Sequence, residues 1–159
     1  EAKKRGAIGV SVQINLGSEF ESEMIERMGE ISRQAFEQDM PLLGMIYPRG
    51  PHLKLDEKDT TKGVSHAVRV AFELGCDMVK VPWTGNKESF SLVCESAPIP
   101  VLIAGGELKG GFEDLLKLIE DAIDSGAKGV CIGRQVFATE DVVDRCEKIA
   151  QLIHKNDTE

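Results

Sequence analysis

Five short apolar runs, separated by segments with helical periodicity, dominate this sequence. The runs are residues 7–15, 41–47, 78–83, 100–104 and 129–132. Each run is nearly continuous in apolar side chains, a pattern typical of strands buried on both faces of a parallel sheet. Because strands of this kind alternate here with segments long enough for helical crossovers, the chain is expected to form a parallel α/β architecture.

Helical patterns fill the segments between these runs. The first begins with Ser18-Glu19-Phe20-Glu21, which has the spacing of a capping box, and apolar residues at helical spacing follow it. Two later helices are predicted to end at Gly75 and Gly126, since glycine is typical of a helix C-terminus. Further helices are predicted over residues 88–95 and 142–153. The order βαβαβαβαβα therefore extends along the chain, without a linker that would divide it.

The charge balance and the run lengths exclude two classes of partner. Acidic residues outnumber basic ones by 27 to 19, the formal net charge is -8, and no basic stripe would neutralise nucleic-acid phosphates. The apolar runs are far shorter than the roughly 20 residues that cross a membrane, and the N-terminus does not resemble a signal peptide. We therefore expect a soluble protein without a nucleic-acid or membrane partner, and the cytoplasm is the default location.

The cysteines and histidines show no metal-binding spacing. The four cysteines are Cys76, Cys94, Cys131 and Cys146, and the three histidines are His52, His66 and His154. The apolar, periodic surroundings of the cysteines favour small buried side chains in a reducing compartment over disulfides or metal ligands. The sequence thus predicts no bound metal.

Lys80 lies inside the third apolar run, in Met78-Val79-Lys80-Val81-Pro82, where every neighbour is apolar. Burying an ammonium group is costly unless the group is paired or deprotonated. Desolvation lowers the pKa of a lysine, and a neutral amine attacks a ketone carbonyl to form a Schiff base. Two interpretations stay open: a catalytic lysine, and a structural ion pair with an inward carboxylate.

Three further candidates lie at the ends of the second and third runs. Tyr47 ends the second run and is a candidate to transfer a proton, or else an aromatic cap on the core. Arg49 comes next and is a candidate to bind an anion or to pair with an acid. Trp83 ends the Lys80 run and is expected to line the same mouth, with a tight turn at 83–86 as the alternative.

Glycines follow the last two runs, in Ala104-Gly105-Gly106 and Ile132-Gly133-Arg134. Glycine lets backbone N–H groups approach a phosphate closely, and an arginine adds a charge-assisted donor. Strand-to-helix turns often contain glycine for structural reasons, so each motif is weak by itself. Two of them on consecutive strands favour a phosphate site, which in (β/α)8 barrels often follows the last two strands.

Taken in order, these motifs resemble the archaeal-type class I aldolase family. They are Met45-Ile46-Tyr47-Pro48-Arg49-Gly50, Glu73-Leu74-Gly75-Cys76-Asp77-Met78-Val79-Lys80, Thr84-Gly85, Pro100-Val101-Leu102-Ile103-Ala104-Gly105-Gly106, Gly126-Ala127-Lys128-Gly129-Val130 and Gly133-Arg134-Gln135-Val136-Phe137. The resemblance covers essentially the whole chain. The family includes fructose-bisphosphate aldolase, 2-amino-3,7-dideoxy-D-threo-hept-6-ulosonate synthase of aromatic amino acid biosynthesis, and a bacterial thiolase.

The resemblance implies a chemistry and a role for each residue. Lys80 would be the Schiff-base lysine and Tyr47 the proton donor and acceptor. The glycines at 105, 106 and 133 would bind the phosphate of a phosphorylated ketose together with Arg134, and Arg49 and Trp83 are possible substrate contacts. It further implies an aldehyde acceptor, no cofactor and a homo-oligomer.

Within the family, Ala104 and Asp39-Met40-Pro41-Leu42 resemble the heptulosonate synthase most, which joins a fragment of a deoxyketohexose phosphate to L-aspartate semialdehyde. Fructose-bisphosphate aldolase is the alternative. This chain departs from the family at several positions. Trp83 and Asn86 stand where the family usually has Tyr and Asp, Glu107-Leu108 replaces its usual Pro-Lys, and Gln135 replaces its Asn. These positions lie around the mouth of the site, so the departures concern the choice of substrate and not the reaction type.

The length of 159 residues is short for a barrel of this family, which typically needs about 200 residues or more. The family's barrel has eight strands, and its first strand supplies an aspartate that assists the tyrosine and the lysine. The five runs would match the fourth to eighth strands, so residues 1–159 are expected to form a single domain that is the C-terminal portion of a TIM barrel. The alternative fold is an open five-stranded, flavodoxin-like sheet. The alternative function is that of a non-catalytic phosphate-binding module or an inactive barrel fragment.

Overall fold

The computed structural model describes residues 1–54, 56, 58–106 and 110–155. Within them, five strands form one parallel sheet. The strands are β1 (Val10–Leu16), β2 (Leu42–Pro48), β3 (Met78–Val81), β4 (Val101–Ala104) and β5 (Gly129–Cys131). The helices are α1 (Glu21–Glu37), α2 (Thr61–Glu73), α3 (Lys87–Cys94), α4 (Phe112–Asp124), α5 (Arg134–Phe137) and α6 (Val142–Ile153), and Lys3–Arg5 forms a 3-10 turn.

The strands lie in the sheet in the same order as in the sequence, β1-β2-β3-β4-β5, with β1 and β5 at its two edges. Each crossover advances by one strand in one direction, as consecutive units of a (β/α)8 barrel do. A flavodoxin-like sheet would reverse direction at a switch point, and the described strands contain no such reversal. The order confirms a partial barrel and contradicts the flavodoxin-like alternative.

Side chains alternate between the two faces of the sheet, and the helices cover only one face. On that face the strands share a core with α1, α2 and α3; its strand residues include Ile14, Ile46, Val79 and Ile103. The opposite face carries Gln13, Met45, Lys80 and Leu102, which are exposed or half-buried. The expectation that both faces are buried is therefore wrong for the described residues, because their helices pack on one side.

Two predicted helix ends are confirmed, and one predicted helix start is wrong. Gly75 (φ 78°) and Gly126 (φ 107°) follow α2 and α4 in the left-handed conformation that favours glycine. The capping box at Ser18 does not form, because α1 begins only at Glu21. Gly17 makes a left-handed turn there (φ 80°), and Ser18 Oγ accepts a hydrogen bond from the Phe20 N–H at 3.2 Å within that turn.

Candidate functional site

A cavity of about 650 Å³ opens at the carboxyl ends of the strands. Loops after β2 to β5 border it, since the carboxyl ends of parallel strands share one edge of the sheet. All eight candidate residues from the sequence line this cavity; they are Tyr47, Arg49, Lys80, Trp83, Gly105, Gly106, Gly133 and Arg134. Gln13, Thr60 and Cys131 also line it; none of the three is a candidate from the sequence, although Cys131 lies two residues before Gly133-Arg134.

Lys80 extends from β3 on the side of the sheet that the helices leave uncovered. It pairs in register with Met45 on β2 and with Leu102 on β4, whereas Val79 and Val81 are fully buried on the helix side. Lys80 itself is half-buried, and none of the described carboxylates forms an ion pair with it. The structural ion pair is thus not found within the described residues, and the amine stays on the cavity wall.

Cys131 lies on the same wall and senses the charge of Lys80. It pairs with Ala104 at the end of β4. Burial raises the pKa of the Cys131 thiol, because burial penalises the thiolate, and the positive charge of Lys80 offsets part of that rise. The two side chains therefore belong to one electrostatic environment.

Tyr47 lies on the next strand, and an arginine stacks on its ring. Tyr47 lies two residues beyond Met45, the register partner of Lys80. Because neighbouring strands are about 4.8 Å apart and residues along a strand advance by about 3.3 Å, the Cα atoms of Tyr47 and Lys80 lie roughly 8 Å apart. The Arg49 guanidinium carbon lies 4.7 Å from the centre of the Tyr47 ring. Arg49 Nε also donates to Asn15 Oδ1 at 2.9 Å, and Gln13 Nε2 donates to the same oxygen at 3.2 Å. Arg49 therefore binds an amide here instead of a neighbouring acid.

The two glycine turns meet across the end of the sheet. Gly106 has a left-handed backbone (φ 55°), and a Cβ at Gly105 would lie 3.1 Å from both Gln135 and Ile132 side-chain atoms. The N–H groups of Gly106 and Gly133 have no backbone acceptor in the part of the chain that the structure describes. Arg134 is exposed beside them at the cavity wall. Such an arrangement suits a bound anion.

Two of the departures from the family have structural explanations. The Trp83 ring packs on Phe90 with ring centres 4.9 Å apart, so it joins the cavity wall to the core. Asn86 caps α3, since its Oδ1 accepts the Ser89 N–H at 2.9 Å. Glu107 and Leu108 lie outside the described residues.

The remaining cysteines differ from one another in burial. Burial raises the pKa of Cys76 and of Cys94 to about 11, and all four cysteines are free thiols. Cys146 is exposed on α6, so the expectation that it is buried is wrong. Over the described residues, no group of three potential metal ligands occurs, and none of the described helices is long and apolar enough to cross a membrane.

Comparison with known families and curated proteins adds an independent line of observation. The profile of the DeoC/LacD family aldolases matches residues 1–139. The chain is 42% identical over 151 residues to 2-amino-3,7-dideoxy-D-threo-hept-6-ulosonate synthase 1 of Archaeoglobus fulgidus, covering 95% of this chain and 55% of that protein. It is 37% identical over 158 residues to 2-amino-4,5-dihydroxy-6-oxo-7-(phosphonooxy)heptanoate synthase of Streptomyces griseus, covering 99% of this chain and 57% of that protein.

Solved structures give the same picture. A Schiff-base-forming fructose-1,6-bisphosphate aldolase superposes with a TM-score of 0.88 at 35% identity, covering 96% of this chain and 60% of that one. An archaeal fructose-1,6-bisphosphate aldolase, whose catalytic lysine is covalently bound to the carbinolamine intermediate, gives a TM-score of 0.89 at 35% identity, with coverages of 96% and 61%. The chain thus spans a little over half the length of these curated relatives and about three fifths of these structures.

Proposed function

The chain belongs to the DeoC/LacD family of aldolases, and on this premise we propose that it catalyses a Schiff-base aldol or transaldol reaction of a phosphorylated ketose. The observation that carries the proposal is the place of Lys80. Its half-buried amine borders the same cavity as a tyrosine and two glycine turns, and it has no acidic partner among the described residues. A nucleophilic lysine needs this combination of access and freedom from an ion pair.

In the proposed mechanism, the Lys80 amine, once it has lost its proton, adds to the substrate ketone to give a carbinolamine. The carbinolamine hydroxyl group takes a proton from Tyr47 and leaves as water, which forms an iminium. The iminium withdraws the electron pair of the bond between its α and β carbons as that bond breaks, while the Tyr47 phenolate accepts the proton of the β-hydroxyl group, whose carbon becomes the aldehyde. The resulting enamine either takes a proton or attacks an acceptor aldehyde, with Tyr47 returning the proton to the new alkoxide. Hydrolysis of the iminium releases the product and regenerates Lys80.

We assign the substrate phosphate to the glycine turns, where the N–H groups of Gly106 and Gly133 and the Arg134 side chain would surround it. The names of the two curated relatives favour a heptulosonate-type transaldol reaction. The 6-oxo-7-(phosphonooxy) product in the name of the second relative has its ketone next to the phosphorylated carbon, so with a product of that kind the Schiff-base carbon and the phosphate ester would be separated by one carbon. The amino-acid end of the product would come from an acceptor aldehyde that also has a carboxylate. Arg49 is the candidate partner of that carboxylate.

Fructose-bisphosphate aldolase activity is the second candidate, favoured by the similarity to solved aldolases of that kind. A non-catalytic phosphate-binding module is the alternative of another class. We further propose that residues 1–159 form a single domain, which makes up the C-terminal part of a barrel. A homo-oligomeric assembly is likewise a proposal.

Borohydride trapping tests the proposed function. The protein is incubated with a phosphorylated ketose and sodium borohydride, and its peptides are analysed by mass spectrometry. We expect a reduced adduct on Lys80 that is lost in Lys80→Met and kept in Lys128→Met, a substitution of an exposed lysine that precedes β5. Phosphate binding without any adduct would favour the non-catalytic module, and an adduct on another lysine would contradict the assignment. Cleavage of fructose 1,6-bisphosphate, compared with transfer to an amino-acid aldehyde, distinguishes the two enzymatic candidates.

A further inference from the structure

Gln135 connects the two glycine turns that border the cavity. Its side-chain Nε2 donates to the carbonyl oxygen of Gly105 at 3.1 Å and to that of Gly106 at 3.0 Å. These glycines follow β4, whereas Gln135 belongs to α5 and comes directly after Gly133 and Arg134. One amide group, with both of its hydrogens used, therefore joins the two halves of the proposed phosphate site.

These two hydrogen bonds orient the backbone of a pair of glycines. Glycine lacks a side chain and loses more conformational freedom on ordering than any other residue. Because a peptide unit is planar, the direction of the Gly105 carbonyl also sets the direction of the Gly106 N–H on the opposite edge of the same unit. The two carbonyl oxygens would repel an anion if they were free, and the Gln135 amide neutralises part of their negative charge.

Gln135 is itself held from behind. The Arg145 guanidinium, on α6, donates to the backbone oxygen of Gln135 and lies 4.6 Å from the centre of the Phe112 ring on α4. On the other side, a Cβ at Gly105 would lie 3.1 Å from Gln135 Oε1. Gln135 thus contacts the turn after β4 through its side-chain amide and α6 through its backbone carbonyl.

We propose that Gln135 is a positioning residue for the phosphate group: it holds the turn after β4 and the turn after β5 at a fixed separation and orientation before the substrate binds. The proposal rests on the proposed function in that it takes this cavity as a phosphate site. Ordering of the turns before binding lowers the entropic cost of binding. The effect should therefore depend on the phosphate of the substrate and not on its ketone.

The test compares dihydroxyacetone phosphate with dihydroxyacetone, by the concentration of each that gives half-maximal borohydride trapping at Lys80. In Gln135→Ala we expect this concentration to rise about tenfold for the phosphorylated ketone. We expect it to stay unchanged for the unphosphorylated one, with the same maximal labelling. An equal change for both ketones, or no change for either, would overturn the proposal.

Two further variants separate positioning from a loss of structure. Gln135→Asn keeps an amide on a side chain that is one methylene shorter, so we expect a loss smaller than that of Gln135→Ala; an equal loss would contradict the role of the hydrogen bonds. Gln34→Ala removes an exposed glutamine whose side chain, among the described residues, bonds only to Glu30 on α1. It should leave the half-maximal trapping concentration unchanged for both ketones.

Calorimetric titration with inorganic phosphate tests the inference independently of Schiff-base chemistry. We expect binding about tenfold weaker in Gln135→Ala than in the unchanged protein. Equal phosphate binding by the two proteins would overturn the role of Gln135 and leave the proposed function intact. Weakened phosphate binding, in a protein that forms no Lys80 adduct, would support Gln135 and reject the aldolase.

Discussion

Asn15 accepts a hydrogen bond of 2.9 Å from the Nε of Arg49. Asn15 pairs in register with Tyr47, and Arg49 folds back so that its guanidinium lies 4.7 Å from the centre of the Tyr47 ring. A planar guanidinium that both stacks and donates in this way is held in one orientation. An amide on β1 therefore orients the charged group beside the proposed proton carrier on β2.

Replacement of Asn15 should release Arg49 without unfolding the protein. We expect Asn15→Ala to lower kcat/KM about threefold to tenfold, the effect of losing one hydrogen bond to a charged group. Asn15→Asp should recover most of the lost kcat/KM, because a carboxylate pairs with the Arg49 guanidinium. Steady-state kinetics measures the effect. Asn86→Ala is the matched control, since loss of that helix cap should cost about 1 kcal/mol of stability with unchanged kinetics. A wild-type kcat/KM in Asn15→Ala would contradict the role of Asn15.

Tyr47→Phe should separate Schiff-base formation from C–C cleavage. The ring and its stacking with Arg49 remain, and only the phenolic hydroxyl group is lost. We expect borohydride trapping at Lys80 to persist while the rate of cleavage falls about 10²-fold to 10⁴-fold, the usual contribution of a general acid or base. Rapid-quench kinetics measures the rate of C–C cleavage, and borohydride trapping in parallel measures Schiff-base formation at Lys80. Cleavage within about twofold of the unchanged protein's rate would show that another group transfers the proton.

The thiol of Cys131 should report the charge of Lys80. The positive charge of Lys80 lowers the pKa of Cys131 against the larger, opposite effect of burial. In Lys80→Met that lowering is lost, so the pKa rises further and alkylation of Cys131 by iodoacetamide should require a higher pH. Peptide mass spectrometry after labelling at a series of pH values measures the midpoint.

Lys128→Met is the reciprocal control for this shift. Burial raises the pKa of Cys94 to about 11, and the charge of Lys128 partly offsets that rise. The substitution should therefore shift the labelling midpoint of Cys94 upward and leave that of Cys131 unchanged. If Lys80→Met leaves the Cys131 midpoint in place, the two side chains do not share an environment in solution.

Gly50 should be intolerant of any side chain for reasons of packing alone. A Cβ at Gly50 would lie 2.1 Å from the backbone carbonyl of Gly17, so the loops that follow β1 and β2 would have to separate. We expect Gly50→Ala to lower the free energy of unfolding by about 2–4 kcal/mol in urea denaturation. Gly29→Ala in α1 has open space around it and should instead raise stability by roughly 0.5–1 kcal/mol. Equal stability of the two variants would refute the close approach.

Much of the fold was predictable because its signals are local. Apolar runs identified the five strands to within about three residues, and glycines marked the ends of α2 and α4. The helix start at Ser18 was predicted wrongly, because the left-handed turn at Gly17 is set by tertiary contact: a Cβ there would lie 2.4 Å from Leu53. The short helix α5 has four residues and too little periodicity to be recognised.

The sequence by itself determined which residues follow each strand, and in a parallel sheet with short crossovers that suffices to bring Tyr47, Lys80 and the two glycine turns to one edge. Only the tertiary structure decided how the site is held. The contacts of Asn15 with Arg49 and of Gln135 with Gly105 join residues 34 and 30 positions apart. They depend on strand register and on side-chain direction, and no spacing along the chain encodes either. Tertiary packing likewise places the helices on one face of the sheet. Lys80 lies on the other face and therefore stays open to the cavity.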